Sequence, residues 1–179
     1  MKRTCSNLGI REATLQDAPQ LCAWWNDGSV MAHAGFPKGL GITENEILRQ
    51  IAAQSEKPLL HIITCDGRPI GELHYRPTDE QTCEIGIKIC DASFQNRGYG
   101  KIILSLLIDA LFHEYGFQKI VLDTNLANRR AQHVYEQLGF RKLRVNLNSW
   151  QDQLGKPQSS VDYELTEESF VSFLDPKAE

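Results

Sequence analysis

Seven residues, Gln95-Asn96-Arg97-Gly98-Tyr99-Gly100-Lys101, have the composition of a phosphate grip. An apolar run before them, Ile85 to Ile89, reads as a strand, and Ile102 to Ile108 after them reads as the start of a buried helix. A glycine-rich turn at such a joint leaves backbone N–H groups unpaired. Glycine lets a ligand approach the main chain, and the helix N-terminus adds a partial positive charge. That chemistry suits a phosphate, with Arg97 and Lys101 adding cationic side chains beside it. Glycine also stands at strand–helix joints that bind nothing, so the surrounding elements have to discriminate. A nucleotide-binding domain fails on motif grammar, since neither G-x-G-x-x-G nor G-K-[ST] occurs. The five cysteines (Cys5, Cys22, Cys65, Cys83, Cys90) are odd in number and form no C-x-x-C pair. A disulfide framework, a zinc knuckle or any other metal site is therefore not expected; inert buried thiols in a reduced, cytoplasmic compartment fit better.

The elements that must position this turn belong to a chain of 179 residues, read as a single domain over 1–179. No apolar run approaches the ~18–20 residues of a membrane span. The basic N-terminus has no apolar stretch behind it, so a signal peptide is not expected. The net charge of −4 is unevenly spread: residues 1–90 carry 9 basic and 11 acidic side chains, 91–145 carry 8 and 5, and 146–179 carry 2 and 7. The basic excess thus lies around the glycine turn, which suits an anionic ligand there and a cationic partner elsewhere; chance excess on a solvated surface is the plain alternative. A pI near 5.7 without a long basic stripe argues against nucleic acid.

In chain order, Leu8 to Thr14 reads as a first strand, and Thr14 or Asp17 caps a helix running to about Asn26. Asn26 to Ile42, rich in glycine, reads as a mobile loop. Thr43-x-x-Glu46 is a capping box for a helix to about Ser55. Leu59–Cys65, Ile70–Tyr75 and Cys83–Ile89 read as strands, with Asp66-Gly67 as a tight hairpin turn. Matching apolar faces pairs Tyr75 with Cys83 and Leu73 with Ile85, placing His74 opposite Glu84. A buried helix runs from the glycine turn to about Tyr115, with Gly116 as its cap. Lys119–Thr124 is a short strand, Asn128–Leu138 a helix, and Phe140–Leu147 and Ser160–Leu165 are closing strands joined by a polar linker. Thr166-Glu167-Glu168 opens a brief helix that buries Phe170 and Phe173. The order β-α-α-β-β-β-α-β-α-β-β is α/β with a largely antiparallel first half.

Gln95-x-x-Gly98-x-Gly100 is followed, after a strand, by Asn128-Arg129-Arg130-Ala131-x3-Tyr135-Glu136-x-Leu138-Gly139-Phe140. Together these segments closely resemble the GNAT (GCN5-related N-acetyltransferase) superfamily: the first its acyl-CoA pyrophosphate loop, the second its Asn…Ala…Tyr-x-x-Leu-Gly-Phe segment. Element order extends the resemblance from about Leu8 to Leu165. Trp24-Trp25-Asn26-Asp27 and Glu84-Ile85-Gly86-Ile87 lean toward the RimJ/RimL-like branch. The resemblance implies a mixed central sheet with splayed middle strands, flanked by helices. It implies direct acetyl transfer from acetyl-CoA to a primary amine, either a protein N-terminus or a small cationic amine, and leaves a homodimer open. A non-catalytic acyl-CoA-binding module is the alternative.

By the same resemblance, turn amides of Arg97, Gly98, Tyr99, Gly100 and Lys101, with Gln95 and Asn96 in the motif, hold the pyrophosphate. Main-chain groups around Ile87 and Ile89 pair with the pantetheine arm, and Asn128 contacts it. Tyr135 matches the position that protonates the leaving thiolate, and Glu84 a position used for the general base. Each has a plain counterpart: Tyr135 as a packed aromatic, Asn128 as an N-cap, Glu84 as an exposed strand carboxylate. His74 and Glu72 are further candidates on the Glu84 face, and Arg129 and Arg130 could reach phosphate or simply be surface arginines.

Overall fold

The computed structural model describes residues 1–53 and 59–174. Eight strands form one sheet in the order β1-β2-β3-β4-β5-β6-β8-β7. They are β1 (Lys2–Cys5), β2 (Leu8–Glu12), β3 (Leu60–Cys65), β4 (Arg68–Pro77), β5 (Thr82–Ile89), β6 (Lys119–Asn125), β7 (Arg141–Gln151) and β8 (Pro157–Thr166). Helices α1 (Ala18–Trp25), α2 (Gly28–Met31) and α3 (Glu44–Ala52) follow β2; α4 (Tyr99–His113) follows β5 and α5 (Arg129–Gln137) follows β6. Neighbouring strands run antiparallel except β5 and β6, which are parallel. The mixed α/β sheet flanked by helices is as the sequence implies. Among the described residues no helix is long and apolar enough to cross a membrane.

Strand alternation sorts the core into two layers. Ile10, Ile63, Leu73, Tyr75, Ile85, Leu122 and Tyr163 point to the layer covered by α4 and α5. Ile62 joins Ala18, Leu21, Trp24, Ile47 and Ile51 of α1 and α3 in the other. α4 is apolar nearly all round, with Ile103, Leu104, Leu106, Leu107, Ile108 and Leu111 buried, which is what a central helix requires. It ends with a 2.9 Å bond from Glu114 N to Ala110 O and a wider 3.0 Å bond from Phe117 N to Leu111 O across Gly116. The Thr43–Glu46 capping box is present, with Thr43 N donating to Glu46 Oε2 at 2.7 Å.

Several expectations are corrected. β1 goes beyond the first strand expected at Leu8; its basic, half-exposed residues give an edge strand little apolar signature. Asn26–Ile42 is not open chain: it contains α2, capped where Asp27 accepts from Ser29 N at 2.7 Å. Asn26 then clamps its ends, donating to Ile42 O at 2.8 Å and accepting from Ile42 N at 2.9 Å. The polar linker after Leu147 is largely strand, because β7 continues to Gln151 and β8 begins at Pro157. An edge strand exposed on both sides needs no apolar alternation. Among the described residues a single 3-10 turn, Glu167–Ser169, follows β8, and Phe170 and Phe173 pack on the main core behind it. The expected α3 end near Ser55 lies outside the described residues.

The β4–β5 register is shifted by two residues from the expected one: Leu73 pairs with Ile87, His74 with Gly86, Tyr75 with Ile85 and Arg76 with Glu84. A shift of two keeps every side chain on its face, so face matching cannot separate the registers. The turn and the glycine do. Asp79 Oδ1 accepts from Gln81 N and Thr82 N at 2.8 and 2.7 Å, closing a tight loop. The His74 ring lies directly over Gly86, where a Cβ would come within 2.3 Å of the imidazole.

His61 of β3 is fully buried against Tyr75, and its Nε2 has no hydrogen-bond partner among the described residues. Burial lowers its pKa to about 4 against a hydrogen bond to Leu59 O. The unfolded chain therefore binds the proton first, and stability present above pH ~6.5 is lost as pH falls toward 4, by roughly 3 kcal/mol. Thermal midpoints measured across that range should fall steeply for the parent and more gently for His61→Leu. Equal slopes would exclude His61 as the source.

Candidate active site

Pairing between β5 and β6 covers only Thr82–Lys119, Cys83–Ile120 and Glu84–Val121. Beyond it the strands part, and a cleft of about 1130 Å³ opens between them. Its walls come from both faces of the sheet: Ser29, Val30 and His33 around α2 on one, Arg130, Val134 and Tyr135 of α5 on the other. The cleft thus passes through the sheet. Cys90 N donates to Ile70 O on the β4 side at 2.9 Å. Alternation back along β5 then turns the main-chain groups of Ile87 and Ile89 into the cleft. No strand faces Ile87 there, whereas Ile89 O is taken by Gln95 Nε2 at 2.8 Å.

The glycine turn closes one end of the cleft. Asn96 and Gly98 adopt left-handed backbone angles, φ 59° and 79°, and Gly98 caps α4, whose first N–H groups face outward. Gly98 needs no Cβ for conformational reasons. Gly100 is different: it is helical, and a Cβ there would meet nothing within 4 Å. Space, not backbone strain, is what glycine provides at 100. Gln95 does more than sit in the motif. Besides holding Ile89 O, its Oε1 accepts from Arg130 at 2.8 Å, and Arg130 also reaches Asn96 Oδ1 at 3.4 Å. α5 therefore delivers a fixed guanidinium to the turn. Arg97, by contrast, lies over the Phe94 ring at 5.6 Å and does not line the cleft, and the Lys101 ammonium sits 4.3 Å from the Phe173 centroid. Tyr99 and Lys101 contribute to the lining.

Asn128 caps α5, accepting from Ala131 N at 3.2 Å, and also lines the cleft, so its two readings coexist. Tyr135 lies two turns further along. Its ring packs edge-on against Phe140 and near Tyr163, with centroids 5.7 and 5.8 Å away. Its hydroxyl has no hydrogen bond among the described residues. Burial, reinforced by Asp123, pushes its pKa up to about 12, so the phenol stays protonated.

Glu84 stands apart from this group. Its Oε2 is 2.7 Å from Arg76, and it does not line the cleft. His74, expected opposite it, instead lies with Nδ1 4.0 Å from Glu72, which is itself 2.9 Å from Lys88. Burial disfavours the Glu72 charge, but His74 and Lys88 outweigh it and hold the carboxyl at about 2.

The carboxylate that does line the cleft is Asp123, on β6. Its side chain is exposed in the cleft, yet the protein packed behind it still disfavours the charge and raises its pKa, with Asp162 and Glu84 adding repulsion. Asp162 is directly opposite in the β6–β8 register and is compensated by Arg144 at 3.0 Å and Asn146 at 2.9 Å. Asp123 has no ion-pair partner among the described residues. Its sequence signal is a lone acid ending the apolar run Ile120-Val121-Leu122. Trp150 of β7 and His33 also line the cleft without a prior signal.

A family profile described as the acetyltransferase (GNAT) domain matches residues 7–141. No curated protein sequence matches the chain. Among solved structures, spermidine N-acetyltransferase from Vibrio cholerae in complex with CoA and spermine is 17% identical with a TM-score of 0.81, covering 92% of this chain and 98% of its own. RimL, a ribosomal alpha-N-protein acetyltransferase solved with coenzyme A, is 15% identical with a TM-score of 0.80, covering 92% and 96%. The yncA protein of Salmonella typhimurium with acetyl-CoA is 19% identical with a TM-score of 0.73, covering 97% of each chain. The glycine turn, the parted strands and the Asn128–Tyr135 helix are parts of one domain, and the chain belongs to the GNAT family of acetyltransferases.

Proposed function

We propose that the protein transfers acetyl from acetyl-CoA directly to a primary amine, in a ternary complex without a covalent enzyme intermediate. The observation that carries this is the cleft through the sheet. It brings the glycine turn and a protonated phenol from the α4–α5 side to a carboxylate on β6 that has no ion-pair partner among the described residues. The CoA and acetyl-CoA held by structures of the same fold support the donor, and the RimL likeness with Trp24-Trp25-Asn26-Asp27 supports the RimJ/RimL-like branch. The acceptor is a protein N-terminus or a small cationic amine.

In this scheme the amides of Gly98, Tyr99, Gly100 and Lys101, with Arg130 beside them, hold the pyrophosphate at the positive end of α4. Main-chain groups of Ile87, the N–H of Ile89 and the Asn128 side chain orient the pantetheine arm. The amine arrives as an ammonium ion. Asp123 attracts it and takes its proton, and a carboxyl with a raised pKa is the better acceptor for that step. As the amine nitrogen bonds to the carbonyl carbon it gives up its second proton to solvent, and the carbon–sulfur bond breaks. Tyr135 donates a hydrogen bond, and then a proton, to the departing sulfur, and regains a proton from solvent. Glu84, ion-paired to Arg76, acts by its field on Asp123 rather than by touching the amine.

Three outcomes follow. Gly100→Leu should weaken acetyl-CoA binding at least tenfold by calorimetry while leaving the thermal midpoint unchanged, since the new side chain meets only the space reserved for the donor. Tyr135→Phe should lower kcat by about 10²-fold with little change in acetyl-CoA affinity; unchanged turnover would remove the acid role. Activity should rise with pH through an Asp123 ionisation above the ordinary ~3.9, and Asp123→Asn should remove that limb and lower kcat. A limb that survives in the variant belongs to another group.

A further inference from the structure

A second groove of about 510 Å³ opens on the face of the sheet where α1, α2 and α3 lie. That is within the ~300–1,000 Å³ typical of small-ligand sites. Trp25, Met31, Phe36, Leu40, Ile42 and Leu60 make its walls largely apolar. Ala34 and Lys88 line both this groove and the main cleft, so the two adjoin there. Its polar floor is already satisfied: Glu72 is 2% exposed, Lys88 lies 2.9 Å from one carboxylate oxygen, and His74 lies 4.0 Å from the other. The Glu72 and Lys88 charges cancel, leaving no unpaired carboxylate among the described lining residues to hold a second ammonium ion. The walls are also preformed. Asn26 clamps Ile42, while Gln153 from the β7–β8 hairpin donates to Gly39 O at 3.0 Å and accepts from Lys38 N at 2.9 Å. Phe36, between these anchors, remains 37% exposed. The proton transfers described above use none of these wall residues.

We infer that this groove takes an apolar arm of the acceptor: the substrate is a primary amine bearing an uncharged aliphatic or aromatic side arm, its amino group at Asp123 and its arm along Phe36. This rests on the acetyl-transfer reading above. The shared border at Ala34 and Lys88 puts the groove beside the cleft, within reach of an arm, and the neutral floor separates it from a second ammonium group. A diamine would bring its far charge against apolar walls and the Lys88 ammonium. Burying each methylene of an arm is worth about threefold to fourfold in kcat/KM.

The test is thiol release from acetyl-CoA across n-alkylamines from propyl to octyl, matched α,ω-diamines, and short peptides beginning with serine or leucine. The expected result is a stepwise rise with arm length, a loss of at least tenfold when the arm ends in a charge, and preference for the leucine peptide. Phe36→Asp should lower kcat/KM for octylamine at least tenfold while propylamine and acetyl-CoA affinity stay within about twofold; Phe36→Leu should keep most of the gain. A flat series, a preference for diamines, or a Phe36→Asp loss equal for all amines would overturn the inference while leaving acetyl transfer standing. Acetyl-CoA binding with thiol release from no amine would instead remove both.

Discussion

The arrangement depends on a parallel pairing that stops early. β5 and β6 share three residue pairs and then separate, although both strands continue. A continuous ladder would consume the main-chain groups of Ile87 and Ile89 and seal the sheet. Because it ends at Glu84 and Val121, one strand edge is left unpaired along the cleft, and the two faces of the sheet communicate. α4 and α5 sit on one side of that opening and α2 on the other. Gln95 braces the open end, tying β5 to Arg130 of α5, so the gap is built into the hydrogen bonding.

Charge is distributed around the opening in a way that separates roles. Most carboxylates on the sheet are neutralised by neighbours: Glu84 by Arg76, Glu72 by Lys88, Asp162 by Arg144. Asp123 is the exception lining the cleft, and its neighbours raise its proton affinity instead of lowering it. Tyr135, buried between aromatic rings, is held protonated. A carboxylate with raised proton affinity and a phenol held protonated line the same space, which is the division the proposed acyl transfer to an ammonium ion requires. The end of the cleft at the glycine turn is cationic and rich in amides, so the two ends of the cleft carry opposite local fields.

The segments that looked least structured in the sequence shape one side of the cleft and the adjoining groove. Asn26–Ile42 is closed on itself by the Asn26 side chain, and the β7–β8 hairpin reaches over to hold Lys38 and Gly39 through Gln153. The Gln153 contacts link residues more than a hundred positions apart, and each of these bonds depends on an amide side chain whose partner no local pattern identifies. That is why a glycine-rich stretch reads as a loose loop in the sequence and folds as a fixed wall.

What the sequence determined by itself was local and repetitive. The capping box at Thr43, the Asp66-Gly67 turn, the apolar α4 and the glycine joint at Gln95–Lys101 all follow from spacing and backbone chemistry within a few residues. The mixed fold follows from their order. The positions of Asn128 and Tyr135 on one helix face were likewise legible, because two helical turns fix them. Tertiary structure decided the rest. The β4–β5 register escaped because a two-residue slip preserves every face, and only Asp79's turn and the His74–Gly86 contact choose between registers. For the same reason Glu84 came to rest against Arg76, and Asp123, unmarked in an apolar strand, came to line the cleft. Which carboxylate is paired and which is free depends on strands far apart in sequence, and Coulomb interactions are set by distance in space.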